Sequence, residues 1–376
     1  MGKISREGNK CITPDVVTIP YIEGDGIGEE ITAVYQSIVD AAIRLAYRGK
    51  RFIKWKEILA GRKAFAYTEK LLPQETINIL KEYVVAIKGP LAPSDNRRNT
   101  SIDNDLYNEL GFYTSWFPVT WFPGVTCSLR KPERLNMDIF RENGGGHEKT
   151  IHAAFEYAIK NRASNVTFLH DGLEENELTL GYRIADFNYS EHTFSMKVYE
   201  RLSKLWGIDG ANEELEKAML GGKIIVKDTD RETFIQTTLK YPEEYAVVVS
   251  LNSTGGCVLD EITKLAGCSN IVPCCRINSE TGYALFEPTY DELCNYGETD
   301  QINPTSMILS AAMMLEYIGW TSASRLIVDA MEFCFSKGLV TKDMKIIMPG
   351  SKSLSTSEFR DVLLDNLGVK IVRAAV

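Results

Sequence analysis

Apolar and polar residues follow two periods along this chain, one typical of helices and one typical of strands. Apolar residues recur at helical spacing in residues 31–46, 73–83, 150–162, 231–240, 306–318 and 321–336. Short apolar runs typical of buried strands occur at residues 84–87, 166–169, 224–226 and 247–251. Strands that alternate with helices predict an α/β fold with a largely parallel sheet.

A glycine-spaced turn follows the first apolar run. Residues 17–31 read VTIPYIEGDGIGEEI, in which a β-rich run precedes Gly24, Gly26 and Gly28 and a helix-like run comes after them. Three glycines in a turn are a weak signal for a nucleotide site when they stand alone. The pattern therefore predicts a tight strand-to-helix turn.

Composition restricts the function classes. The chain has 376 residues, of which 44% are hydrophobic and 25% charged, as in an ordinary globular protein of one or two domains. Its net charge of -9 would repel a phosphate backbone, so we expect no nucleic-acid partner. Apolar runs stay well short of the roughly 18 residues of a membrane span. The N-terminal residues predict no secretory signal, and eight cysteines without metal-type spacing indicate reduced thiols, so we expect a cytoplasmic protein.

Two distant stretches carry a family resemblance. The N-terminal turn and residues 284–320, which read ALFEPTYDELCNYGETDQINPTSMILSAAMMLEYIGW, together resemble the isocitrate/isopropylmalate dehydrogenase family. Shorter matches are KGPL at residues 88–91, FREN at residues 140–143 and SEF at residues 357–359.

The resemblance implies a two-domain fold with a largely parallel sheet in a discontinuous large domain. That domain would comprise residues 1–112 and 268–376, and a small domain of residues 113–267 would carry the dimer interface. Family members extend an arm after FREN that clasps the partner subunit. In this chain FREN leads through three glycines, residues 144–146, to a helix-like run, so a reduced clasp arm is expected.

Family enzymes oxidise a 2-hydroxy acid by hydride transfer to NAD or NADP and then release carbon dioxide. The family's substrate loop has a serine, an asparagine and two arginines that clamp carboxylates. The corresponding residues here are Ser101, Asp103, Tyr107 and Phe117, and Arg141 in FREN is retained. Tyrosine and phenylalanine cannot form the bidentate hydrogen bonds that a guanidinium makes with a carboxylate. The aromatic residues are interpreted either as ordinary core and sheet residues or as a new aromatic pocket.

The acid–base groups of the family are also replaced. Its catalytic lysine corresponds to Asp171, which reverses the charge, and its catalytic tyrosine has no counterpart. His147 or His152 is a candidate substitute base, although a lone histidine at a helix start is more often a capping or surface residue.

The family binds its divalent cation with three aspartates, one of them from the neighbouring subunit. These positions correspond to Gly256, Asp260 and Glu232, so two carboxylates remain. Asp228 and Asp230 lie nearby in sequence, where they either add to the site or cap the helix that follows. We expect weakened binding of Mg²⁺ or Mn²⁺.

The loop that wraps the adenosine in the family is altered as well. Tyr290, Asp291 and Glu292 take the place of its His-Gly-Ser/Thr run, while Glu287 and Asn303 on either side are retained. Two added carboxylates oppose a diphosphate-bearing nucleotide. We expect no tight binding of NADP, and NAD use stays open.

Three hypotheses follow from this pattern of retained fold and lost chemistry. The first is a catalytically silent member that binds a small-molecule ligand or regulates others, as a homodimer or with an active paralogue. The second is an enzyme with altered 2-hydroxy-acid substrate and cofactor use, and the third is an ordinary dehydrogenase whose alignment has been misjudged.

Overall fold

The computed structural model describes residues 2–7, 10–92, 101–170, 175–250, 254–289 and 299–369. The chain divides into two compact units. Unit 1 comprises Met1–Phe112, Phe122–Thr126 and Cys268–Val376, and unit 2 comprises Tyr113–Trp121 and Cys127–Gly267.

In unit 1 five neighbouring strands lie in the order β4-β3-β5-β13-β12, and among these pairs only β12 runs antiparallel to its neighbour β13. The strands of unit 1 are β1 (Ser5–Glu7), β2 (Lys10–Ile12), β3 (Val16–Ile22), β4 (Phe52–Glu57), β5 (Val85–Lys88), β12 (Pro273–Ile277), β13 (Ala284–Pro288), β14 (Leu339–Thr341) and β15 (Lys352–Leu354). Its helices are α1 (Gly28–Tyr47), α2 (Gly61–Thr68), α3 (Gln74–Tyr83), α4 (Ile102–Leu110), α10 (Thr305–Tyr317), α11 (Thr321–Ser336), α12 (Lys342–Ile347) and α13 (Thr356–Asp365).

Unit 2 contains six strands in the order β6-β7-β11-β8-β10-β9, in which β6 is antiparallel to β7 and the other pairs are parallel. The strands of unit 2 are β6 (Thr114–Thr120), β7 (Asn136–Glu142), β8 (Asn165–His170), β9 (Thr193–Ser195), β10 (Ile224–Asp230) and β11 (Val247–Ser250). Its helices are α5 (His147–Asn161), α6 (Glu175–Asn188), α7 (Met196–Leu220), α8 (Arg231–Lys240) and α9 (Thr254–Leu265). The predicted α/β fold with largely parallel strands is confirmed.

The sequence explains why the central helices are buried. In α10 every residue from Thr305 to Leu315 is buried, as expected for a helix that is apolar or small-sided on all faces. In unit 2 a cluster around Phe140, Phe155 and Phe168 forms the core between the sheet and α5. No helix in the described ranges is long and apolar enough to cross a membrane.

The glycine-spaced turn joins β3 to α1 and is a site of close backbone packing. Gly24 has a φ of 92°, and a Cβ added there would lie 2.4 Å from the Pro90 carbonyl oxygen. Between the glycines, the buried Asp25 carboxylate accepts hydrogen bonds from the backbone N–H groups of Arg62 and Ala92, each at 2.8 Å. This turn therefore holds α2 and the segment after β5 in place.

Replacing Asp25 by alanine should lower the free energy of unfolding by about 2 kcal/mol, because a buried and a part-buried backbone donor lose their acceptor. Urea denaturation monitored by circular dichroism measures the change. Asp25→Asn should cost less, since its amide oxygen can still accept one bond. Asp15→Ala, which removes an exposed partner of Arg51, is the control. Equal losses for Asp25→Ala and Asp15→Ala would contradict this role.

Candidate active site

Five polar side chains of unit 1 meet where β5 and β13 end. We call Lys88, Asp103, Tyr107, Arg276 and Glu287 the Lys88 network. Lys88 is the last residue of β5 and Glu287 lies one residue from the end of the parallel strand β13, so both belong to the same edge of the sheet. Asp103 and Tyr107 project from α4, one helical turn apart, and Arg276 comes from β12.

Glu287 is the centre of this network. Its carboxylate lies 3.0 Å from Lys88 Nζ and 2.5 Å from Arg276 Nε, and it accepts a hydrogen bond of 2.7 Å from the Tyr107 hydroxyl. Lys88 Nζ is also 3.0 Å from Asp103 Oδ1, and the Arg276 guanidinium lies 4.6 Å from the Tyr107 ring centroid. Two cations are therefore matched by two carboxylates.

Burial makes these charge pairings strong. The side chains of Lys88 and Glu287 are only 3% and 4% exposed. Burial by itself would raise the pKa of Glu287, but Arg276 and Lys88 outweigh it and hold that pKa below its ordinary value. Burial would likewise lower the pKa of Lys88, and the carboxylates of Asp103 and Glu287 instead keep it well above its ordinary value. Both groups are charged at neutral pH.

Tyr107 is held as a neutral hydrogen-bond donor. Burial raises its pKa well above the ordinary value, and the neighbouring Glu287 carboxylate raises it further.

Ser101, the residue before α4, is half-buried and makes no side-chain capping bond to that helix.

Arg141 and Phe117 meet within unit 2, on the paired strands β7 and β6. Phe117 is 2% exposed, and the Arg141 guanidinium lies 5.2 Å from the centre of its ring. A guanidinium over an aromatic face is attracted by the ring quadrupole. Phe117 is thus a buried sheet residue, as one of the two interpretations of the aromatic residues predicts, and it engages the retained arginine.

The two remaining metal-type carboxylates lie on the surface of unit 2. Asp260 on α9 and Glu232 on α8 are both exposed. Gly256 precedes Asp260 by one helical turn, and a Cβ added there would lie 3.6 Å from Arg141 Nη1, so a side chain would fit but would face a guanidinium. Among the described residues no group of three His, Cys, Asp or Glu side chains is arranged to hold a metal ion. Weakened binding of Mg²⁺ or Mn²⁺ at Asp260 and Glu232 therefore stays a prediction.

The neighbouring acidic residues have other partners. Asp230 caps α8, because its carboxylate accepts a bond of 2.9 Å from the Thr233 backbone N–H. Asp228 accepts a hydrogen bond from the Tyr182 hydroxyl and lies 3.3 Å from His170 Nε2. The helix-capping interpretation therefore holds for Asp230, and Asp228 belongs to a separate cluster.

The other predicted residues are placed as follows. His147 is the first residue of α5 and is half-buried. Asn303 donates to the Asp343 carboxylate at 2.9 Å and accepts from the Thr305 backbone N–H at 3.0 Å, so its amide fixes the start of α10. The remaining candidates lie outside the described residues: Asp171, Tyr290, Asp291 and Glu292.

Comparison with known proteins identifies the family. A model of the family described as isocitrate/isopropylmalate dehydrogenase matches residues 18–363. The chain belongs to the isocitrate/isopropylmalate dehydrogenase family. It is 34% identical to a Staphylococcus epidermidis protein named isocitrate dehydrogenase (NADP), over 97% of this chain and 99% of that one. A Coxiella burnetii protein of the same name is 33% identical, over 96% and 94% of the two chains.

A solved structure has the same fold. The crystal structure of isocitrate dehydrogenase from Methylococcus capsulatus superposes with a TM-score of 0.72 at 23% identity, and covers 93% of this chain and 99% of that one. The family assignment, which the sequence motifs suggested, is therefore confirmed at the level of both sequence and fold.

Two members of the Lys88 network were not among the predicted site residues of this family member. Lys88 ends the buried strand VAIK, and Arg276 interrupts the apolar run IVPCCRI. Lysine and arginine are almost never fully buried unless they are paired. The presence of Lys88 and Arg276 in two otherwise apolar strands was the sequence signal that could have indicated a buried carboxylate partner.

Proposed function

We propose that this chain is a non-catalytic member of the isocitrate/isopropylmalate dehydrogenase family, which binds a small-molecule ligand or acts as a regulatory subunit. The observation that carries the proposal is the contact of Tyr107 with Glu287. Tyr107 stands at the position of a substrate-clamping arginine in the family, and its hydroxyl is used inside the protein at 2.7 Å. The guanidinium that would bind a substrate carboxylate is replaced by a neutral hydroxyl, which already donates its hydrogen bond to Glu287 within the protein.

The charge balance of the Lys88 network supports the same conclusion. Lys88 and Arg276 are each paired with a carboxylate at 3.0 Å or less, so neither offers an uncompensated positive charge to a tricarboxylic acid. Asp103, at the family's asparagine position, is 27% exposed and adds a negative charge that repels such a substrate.

Loss of proton transfer is the second line of support. The family's lysine is replaced by Asp171 and its tyrosine has no counterpart, and groups of this kind typically contribute about 10²–10⁴-fold each. Gly256 removes one cation ligand of the family pattern. We propose that the chain forms a homodimer, or a hetero-oligomer with an active paralogue whose site it completes or regulates.

One observation favours a second candidate, an active oxidoreductase with altered 2-hydroxy-acid and cofactor use. Sequence identity of 34% extends over nearly the whole length of a protein named isocitrate dehydrogenase (NADP). The two candidates differ in measurable turnover.

The test is a nicotinamide absorbance assay of the homo-oligomer with isocitrate, isopropylmalate and homoisocitrate, each with NAD or NADP and Mg²⁺ or Mn²⁺. The S. epidermidis relative, assayed in parallel, is the positive control. We expect no substrate-dependent reduction. Turnover near about 1 s⁻¹ or above, within the usual enzyme range, would falsify the non-catalytic proposal. Activity that appears only after a paralogue is added would support the regulatory form.

Nucleotide binding should also be weak. Calorimetry is expected to show no micromolar affinity for NADP, because Asp291 and Glu292 oppose its phosphates. The double change Asp291→Gly/Glu292→Thr should raise any residual affinity. The control Asp105→Asn/Glu109→Gln removes the same two charges from exposed positions of α4. An equal gain in both variants would assign the effect to net charge instead of to this loop.

A further inference from the structure

The helix α7 of unit 2 is bent into two arms. Gly207 has φ 81° and ψ 173°, which interrupts the helix between residues 196–206 and 208–220. The Tyr199 hydroxyl donates to Asn212 Oδ1 at 2.9 Å across the bend, although the two residues are 13 positions apart. Thirteen residues of a straight helix would span about 20 Å, so the arms fold toward each other.

Large apolar side chains are exposed at the bend and at the far end of the second arm. At the bend Leu205, Trp206 and Ile208 are 68%, 64% and 66% exposed, and at the far end Met219 and Leu220 are 60% and 90% exposed. Ile208, Leu215 and Met219 share one face, since they are spaced by seven and then four residues.

Exposed apolar side chains are concentrated in this one helix. Five of them are at least 60% exposed, and Leu215 is half-buried on the face that Ile208 and Met219 share. Apolar side chains that are exposed together usually mark an interaction site.

The two arms carry opposite charge. Residues 196–206 contain three basic residues and one acidic residue, for a net charge of +2, and residues 208–220 contain four acidic residues and one basic residue, for a net charge of -3. Arg201 and Lys204 of the first arm and Glu213 and Glu216 of the second are exposed. A twofold axis would place the basic arm of one chain against the acidic arm of another, and the reverse contact would form at the same time.

We propose that the bent helix α7 is a self-association surface, occupied by α7 of a second copy of this chain. The apolar residues at the bend and at the end of the second arm pack against the partner's, and the oppositely charged arms set the register. This surface is separate from α8 and α9, the helices that the family resemblance implies for dimer contact, and the inference does not depend on whether the chain catalyses a reaction.

The first test is the double variant Trp206→Glu/Ile208→Glu in the full-length chain, with Tyr67→Glu/Ile346→Glu as the control. Tyr67 and Ile346 are 76% and 80% exposed in unit 1. Sedimentation equilibrium should give half the wild-type mass for the first variant, or a dissociation constant raised by about tenfold or more, and an unchanged mass for the control. Circular dichroism verifies that both variants fold. A wild-type mass for the first variant, or a monomeric wild-type protein, would overturn the proposal.

The second test exploits charge and separates association from folding. Variant A is Arg201→Glu/Lys204→Glu, and variant B is Glu213→Lys/Glu216→Lys. Each variant alone should dissociate, because like charges face each other in both twofold contacts. An equimolar mixture of A and B should associate again, because opposite charges then face each other in both contacts. Failure of the mixture to regain the wild-type mass would rule out the paired arms.

Discussion

The variant Glu287→Gln is expected to lose about 3–5 kcal/mol of the free energy of unfolding, the cost of removing one partner from a buried ion pair. Glu287 is shared by Lys88 and Arg276, and the side chains of these two cations are only 3% and 14% exposed. After the change both positive charges stay buried, with Asp103 as the one remaining carboxylate of the network. Urea denaturation at pH 7 gives the difference directly. Glu82→Gln, which breaks the exposed pair with Lys3, is the control and should leave the urea midpoint unchanged.

The ion pairing of Glu287 and Lys88 stabilises the fold over a defined pH range. The pKa of Glu287 is lowered in the folded protein, so its contribution is complete above the ordinary pKa of 4.5 and is lost as the pH falls through the folded-state value. The pKa of Lys88 is raised, so its contribution is complete below the ordinary 10.5 and is lost only as the pH rises through its folded-state value. The stability gap between wild type and Glu287→Gln should therefore be constant between these two limits and should narrow in acid. A gap that widens in acid would contradict the assigned pairing.

A second change distinguishes a charge effect from a packing effect. Lys88→Met in the Glu287→Gln background removes the cation that the first change leaves with fewer partners. Replacing both members of a buried pair is often far less costly than removing one, so the double variant should recover part of the lost stability. If the two losses simply add, Lys88 and Glu287 are not coupled.

Much of the fold could be predicted because pattern and capping agree. The apolar spacing predicts a helix over residues 231–240, and α8 has these bounds because Asp230 caps its first turn. The helix α5 begins at His147, where the sequence predicts a helix start after the three glycines. Apolar spacing begins only at Thr150, whereas the helical backbone begins at His147, just after glycines whose N–H groups are bound by Glu142.

Other elements are not predicted by their patterns. The strand β6, TSWFPVT, contains Pro118, which cannot donate a backbone hydrogen bond and lowers the strand signal of the sequence. The helix α7 has no regular apolar face because Gly207 shifts the phase between its two arms. Pro118 interrupts the strand pattern of β6, and Gly207 interrupts the helical pattern of α7. The pairing of β6 with β7 and the bend of α7 can be seen only in the structure.

The candidate site is only partly encoded in local sequence. The positions of Asp103, Tyr107 and Glu287 follow from family motifs, but their mutual contacts do not, since they join α4 to a strand 180 residues away. Lys88 and Arg276 complete the network from two further strands. Long-range ion pairs depend on the order of strands in the sheet, which periodicity does not specify.

The double variant Asp103→Asn/Tyr107→Arg should restore affinity for isocitrate. The first change removes the more exposed carboxylate beside Lys88, and the second supplies a guanidinium at the family's clamp position. One charge-assisted contact contributes about 1.5–3 kcal/mol, so the dissociation constant measured by calorimetry should fall by about 10- to 100-fold.

The matched control for this restoration is Asp105→Asn/Asn108→Arg. It makes the same change in net charge on the same helix, at two exposed positions outside the Lys88 network. Its affinity for isocitrate should equal that of the wild type, because attraction between exposed charges is screened beyond about 10 Å at ordinary salt concentrations. An equal gain in the control would show that overall charge, and not the clamp position, limits binding. Micromolar affinity in the unmodified chain would mean that Tyr107 and Asp103 do not exclude the substrate at all, and the non-catalytic proposal would then rest on the proton-transfer residues alone.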